Sequence, residues 1–355
     1  LRLVIVVDAF DAILANETAA LAETLAAVGH QVTLLSTSSR PSEAFPTFAH
    51  QRIQLVEPWA RSLWRGLPRF VQMMQDLRPD VVHFYSPRGL RNGVLVQLIC
   101  GACALHSPRL FATFKEAPSA LMRALVPQLR GIFVPYRSLA QEFSTWNQHP
   151  AIWVLPTLLQ SPPRRSLARP PKTLVIPASP QEIDHFEILL SEIGYALRAH
   201  PDWTVCILDP LDELIGAKRR DCQHRLRAVN LLHRTTLLTG SNWATQIRIG
   251  AEAGVLCVAP LGLSSRLWEP MMNLALQNQT PALVNSLQAQ LSYYHWPEAS
   301  DFLTERAHGH LAHRLHGLLN KTDLLETWHK TAVDITLKSI DPTNALLRIY
   351  SEMGF

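Results

Sequence analysis

Short uncharged apolar runs recur along this chain, most followed by a stretch with helical patterning. That alternation constrains the fold more than any other feature. A strand covered by helices on both faces has no solvent side, so it reads as continuous Val, Ile and Leu rather than as an alternating pattern. Leu3–Val7 is such a run. Thr18–Val28 follows as an Ala/Leu-rich helix, and Gly29 is a stop signal for it. Val32–Leu35, Val81–Phe84, Leu110–Phe114, Gly131–Val134 and Ile152–Leu155 continue the series. Strand, helix, strand in this order predicts a parallel sheet with helices on both faces.

The series breaks once. Ser161–Lys172, SPPRRSLARPPK, packs four prolines, three arginines and a lysine into twelve residues, which no core element accommodates. Beyond it the rhythm restarts. Leu174–Ile176, Thr204–Leu208, Thr235–Leu238, Val255–Ala259 and Ala282–Val284 read as strands. Glu187–His200, Cys222–Asn230 and Met271–Gln277 read as helices. The expected organisation is a first domain over 1–160, a linker over 161–172, a second domain over 173–335 and a C-terminal helical segment over 336–355. Two doubly wound α/β domains suggest a cleft between them, with ligands beyond the carboxyl ends of the strands.

Composition narrows the class. A chain of 355 residues, 47% of them hydrophobic, has material for two cores. The longest nearly uncharged apolar run, Gly93–His106, is too short to span a bilayer. Leu1–Val7 leads into a strand pattern rather than a cleavable leader. Five scattered cysteines point to a reducing, cytoplasmic compartment. Cys100 and Cys103 form a lone C-x-x-C with no further ligands at zinc spacing, so packed thiols are expected and no metal. The net charge of +4 comes without any RNA-binding signature, so nucleic acid is not an expected partner.

Three features stand out for function. His83 ends a predicted central strand, where ligands collect in such sheets, which makes it a catalytic candidate; the competing reading is a satisfied half-buried histidine. His308, His310, His313 and His316 lie at helical spacing, but no carboxylate or cysteine completes a metal set, and a solvent-facing helix is expected. The segment 61–78 mixes Trp64, Phe70, Met73 and Met74 with Arg61, Arg65 and Arg69. That pattern suits either a core-packing helix or a peripheral contact with an anionic membrane at the inner face.

Several segments resemble family-4 glycosyltransferases. LAETLAAVGHQVTLLST (Leu21–Thr37), LRPDVVHFYSP (Leu77–Pro87), GIFVPYRSLAQEF (Gly131–Phe143) and AIWVLPTLL (Ala151–Leu159) resemble that family's first-domain motifs in order. GLSSRLWEPMMNLALQNQTPALVN, running to Asn285, resembles its donor-site helix and the strand that Pro281 opens. The resemblance implies the GT-B fold, two Rossmann-like doubly wound domains facing a cleft, with the last helix packing back on the first domain. It also implies a nucleotide-sugar donor on the second domain and a glycan, lipid or protein acceptor on the first, with no cofactor beyond the donor.

The charges that hold such a donor do not match. The ungapped register places Arg266 and Leu274 at the two glutamates of the family motif. Phe10–Ile13 stands where a Gly-Gly turn lets backbone N–H groups approach phosphate. Pro156-Thr157-Leu158 replaces a Pro-Asn-Gly turn, and Leu208-Asp209-Pro210 replaces a glycine-rich turn. Ala178–His185 carries Glu182 and Asp184 where cations are expected. What remains is a short list. Glu269, before Pro270, is the one carboxylate in the donor-helix segment, Arg266 is a donor-side cation, and Glu116 follows Lys115 where the family carries His-Asp facing the acceptor. Each has a bland alternative: a helix N-terminal acid, a solvated surface charge and a loop ion pair. The sequence therefore favours a transferase-like protein that is impaired or silent. Such a protein would act as a binding subunit beside an active transferase or a second copy. The alternative is an active, divergent hexosyltransferase.

Overall fold

In the computed structural model the described residues are 1–7, 12–36, 53–56, 63–85, 108–115, 123, 126–135, 137–146, 150–155, 172–177, 183–209, 214–239, 246, 249–250, 254–258, 280, 282–285, 303–304, 310–320 and 342–352. The chain divides into two compact units, Leu1–Gln160 with Ile340–Phe355, and Ser161–Ser339.

The first unit is built on β1 (Arg2–Val7), β2 (Gln31–Ser36), β3 (Ile53–Val56), β4 (Val81–Tyr85), β5 (Arg109–Thr113), β6 (Gly131–Val134) and β7 (Ala151–Val154). Their order is β3-β2-β1-β4-β5-β6-β7, and every pairing is parallel. The chain leaves β1 toward β2 and β3, then returns to the other side at β4. The β1/β4 gap is thus the point where strand order reverses, the place where such sheets open a crevice. Helices cover both faces. Val82 and Phe84 face Phe70 and Met74 of α2 (Leu63–Leu77) and Leu139 and Phe143 of α3 (Arg137–Ser144). Val81 and Tyr85 face the other way, into a core with Leu21 and Leu25 of α1 (Ala12–Ala27). Helix α1 ends as the sequence predicts: Gly29 takes φ +99°, and the N–H of His30 reaches back to Leu25 O at 3.1 Å.

The second unit comprises β8 (Thr173–Pro177), α4 (Ile183–Ala196), β9 (Thr204–Leu208), α5 (Gly216–Ala228), β10 (Thr235–Leu238), β11 (Val255–Val258), β12 (Ala282–Asn285), β13 (Leu303–Thr304) and α6 (His310–Asn320). The parallel order β10-β9-β8-β11-β12-β13 repeats the reversal, here between β8 and β11. Helix α6 is half core rather than wholly solvent-facing: Leu311, Leu315 and Leu318 are buried, and Ala312 N–H donates to Glu192 Oε2 at 3.1 Å.

The final helix, α7 (Pro342–Glu352), belongs to the first unit. Its Leu346, Ile349 and Tyr350 join the core on the α1 face, with Tyr350 stacked edge-on to Phe133. Each unit, taken by itself, is Rossmann-like.

Candidate functional site

The carboxyl edge of the first sheet carries a buried ionic cluster at the strand-order reversal. Glu17 comes from the second turn of α1, Tyr85 is the last residue of β4, and Lys115 lies just past β5. Lys115 Nζ stands 3.1 Å from Glu17 Oε2, with side chains only 2% and 1% exposed. Tyr85 OH donates to the same oxygen at 3.0 Å, and Lys115 Nζ sits 5.7 Å from the Tyr85 ring centroid. Helix α1 approaches closely because Ala15, Ala19 and Ala22 are fully buried along it. A charge taken from water this completely persists only when paired and hydrogen-bonded, and Glu17 has both kinds of partner. Within this cluster the Lys115 cation is paired with a carboxylate of the same unit.

His83 lies at the centre of β4, two residues before its end, so its ring points inward with Val81 and Tyr85. It is fully buried. Nε2 is 2.7 Å from Thr113 Oγ1, and Nδ1 is hydrogen-bonded to Tyr350 OH on α7. Burial pulls its pKa down to about 3, so the ring is neutral at any physiological pH. Burial likewise pushes the Tyr350 phenol up. His83 therefore ties the C-terminal helix to the sheet, with both ring nitrogens engaged inside the protein. The short apolar run made its strand legible in the sequence; its partner 267 residues away was not.

In the second unit the edge of β9 ends on Asp209, which is buried. Its Oδ2 accepts the backbone N–H of Leu214 at 2.6 Å, just ahead of α5, and its carbonyl accepts Gln246 Nε2 at 3.2 Å. Backbone N–H groups between a strand and the following helix are the donors that bind phosphate in this fold type. Here one of them is taken by the chain's own carboxylate. Asp209 falls in the turn that the sequence marks as departing from the glycine pattern; Glu17 and Tyr85 carried no sequence signal beyond an acid in an Ala/Leu-rich helix and a strand-end aromatic.

Glu116, Arg266 and Glu269 lie outside the described residues, as do Cys100, Cys103 and His308. Of the histidine series, His313 is exposed and His316 Nε2 is 2.8 Å from Asn320 Nδ2. No group of three metal-ligating side chains occurs among the described residues. Cys206 and Cys222 are buried free thiols, each pushed up to about 11 by desolvation first of all. In α2, Phe70 and Met74 are spent on the core rather than offered to a membrane. Among the described residues no helix is long and apolar enough to cross one.

Comparison with known proteins agrees with the fold. Residues 15–158 match the family model for Glycosyltransferase Family 4. A sucrose-phosphate synthase from Thermosynechococcus elongatus superposes with a TM-score of 0.71 at 13% identity, covering 99% of both chains. A glycosyltransferase from Rickettsia africae gives 0.66 at 11% identity, covering 99% of this chain and 98% of its own. WaaG, a glycosyltransferase involved in lipopolysaccharide biosynthesis, gives 0.63 at 12% identity, covering 99% of both. No curated protein matches the chain. At these identities the likeness is one of fold, and the fold is GT-B.

Proposed function

We propose that this chain is a glycosyltransferase-like protein whose donor-side chemistry is impaired or silent. It works as a binding or partner subunit in glycan or glycoconjugate synthesis, beside an active transferase or a second copy of itself. The observation that carries this reading is Asp209. A buried carboxylate occupies the strand-to-helix turn and consumes the Leu214 N–H. Two like charges 4 Å apart repel by about 4 kcal/mol at an effective dielectric near 20, so a donor diphosphate gains nothing by approaching that turn. At the positions of Ala178–His185 where the family pattern has positive charge, the sequence carries Glu182 and Asp184 instead. In the first unit the Lys115 charge is held by Glu17. The buried free thiols of Cys206 and Cys222 suit a reducing, cytoplasmic setting.

Thermal unfolding with nucleotides tests the reading. Millimolar UDP, UDP-glucose or GDP-mannose should leave the melting temperature unchanged. A ligand at 100 times its Kd would add about 2.7 kcal/mol, a plain upward shift, and would restore an active transferase. That second reading is favoured by the family match over 15–158 and the full-length fold match to transferases. In it Glu269 and Glu116 are the acids, Arg266 contacts the donor, and His83 supports the sheet beneath. Glu269→Gln would then lower transfer or donor hydrolysis at least tenfold, about 1.4 kcal/mol of barrier, with the melting temperature hardly moved.

A further inference from the structure

The outer face of α4 and α5 has no part in the edges described above. The two helices adjoin: Arg225 of α5 pairs with Glu187 of α4, and Val229 O lies 3.0 Å from where a Cβ on Gly194 would stand. Four large hydrophobic side chains are exposed among the described residues, and three of them are here. Ile188 and Tyr195 on α4 are 40% and 68% exposed, and Ile215 at the foot of α5 is 62% exposed. Ile188 and Tyr195 are seven residues apart, two turns, and so share one stripe.

Charge gathers on the neighbouring helix. Helix α5, GAKRRDCQHRLRA, holds five cations against one acid, an excess as large as the +4 of the whole chain. Arg225 engages both nearby carboxylates, Asp221 at 2.9 Å and Glu187. Lys218, Arg219, Arg220 and Arg227 remain exposed, with no ion-pair partner among the described residues. Three of those cations lie in the first turns of α5, where the helix dipole already presents its positive end. Residues 215–220 are all exposed, so this turn projects with no buried side. Among the described residues no acidic side chain pairs with Lys218, Arg219 or Arg220, and an external negative surface would.

We propose that the α4–α5 face docks on an anionic lipid bilayer. The cations of α5 meet headgroup phosphates, and Ile215, Ile188 and Tyr195 enter the interfacial layer. Nucleic acid would use the cations but would leave exposed Ile188 and Ile215 without a partner; a bilayer takes both. This inference is independent of whether the donor site is active.

Vesicle flotation of the full chain tests it. The protein should float with phosphatidylcholine vesicles containing phosphatidylglycerol and not with phosphatidylcholine alone. Molar salt, which shortens the screening length to about 3 Å, should release it. The exposed triple variant Lys218→Glu/Arg219→Glu/Arg220→Glu should bind at least tenfold more weakly with unchanged melting. Ile188→Ser/Tyr195→Ser/Ile215→Ser should also weaken binding, at full charge. Wild-type protein that stays unbound, or binding that survives charge reversal, overturns the proposal. Apolar variants that bind like wild type, with a single-stranded oligonucleotide displacing the vesicles, would reassign the face to nucleic acid.

Discussion

At the scale of single residues, two buried polar groups set measurable expectations. Lys115→Met leaves Glu17 charged and sealed from water, a loss of about 3–5 kcal/mol for breaking a buried pair. Adding Glu17→Gln removes the buried carboxylate, so the double variant should be more stable than Lys115→Met alone; urea denaturation of the three proteins reads the coupling. His83 gives a pH dependence. Its folded pKa near 3 lies below the ordinary 6.5, so only the unfolded chain takes up the proton between those values. Stability from this group is complete above pH 6.5 and falls as pH drops toward 3. Between pH 7 and pH 5 the loss is about 2 kcal/mol, and His83→Gln should abolish that part of the slope.

At the scale of elements, most strands were legible because burial on both faces writes them as apolar runs. The misses are equally physical. Strand β3 mixes Gln54 among its apolar residues, and β13 is two residues long, so neither forms a recognisable run. Helix α5 reads from Cys222 in the sequence but starts at Gly216, because Lys218–Arg220 carry no apolar periodicity where the turn has no buried side. Of the site, the Asp209 departure could be read from a motif. The Glu17–Lys115–Tyr85 cluster could not, since it joins positions far apart in the chain through the strand order. Two glycines test packing at this scale. A Cβ on Gly131 would stand 2.2 Å from Trp153 Cζ3 and 3.1 Å from Phe111 Cδ1, between stacked rings. Gly131→Ala should cost about 1–3 kcal/mol through overpacking. Gly317 in α6 has open space around it, so Gly317→Ala should instead stabilise, by up to about 1 kcal/mol. Opposite shifts in melting temperature are the expected result.

At the scale of the whole molecule, sequence order and the compact units do not coincide. The chain builds the first unit, then the second, and its last helix returns to complete the first. Leu346, Ile349 and Tyr350 fill the α1 face of the first core, and the Tyr350 hydroxyl meets His83. We expect limited proteolysis to begin within Ser161–Lys172, a Pro-rich basic stretch. The nicked protein should still elute as one species in native buffer, because the C-terminal fragment carries α7, which is embedded in the N-terminal unit. Separation should require denaturant. Removing residues 340–355 tests the same tie from the other side: it would uncover Phe111 and Phe133 and leave His83 Nδ1 without its phenol. An unsatisfied buried group costs about 1–3 kcal/mol, and the lost apolar contacts of three large side chains add to it. The truncated chain should therefore unfold its first unit early while the second keeps its own transition. Fragments that part freely after cleavage, or a truncated chain that melts like the intact one, would show that α7 contributes little to the first core.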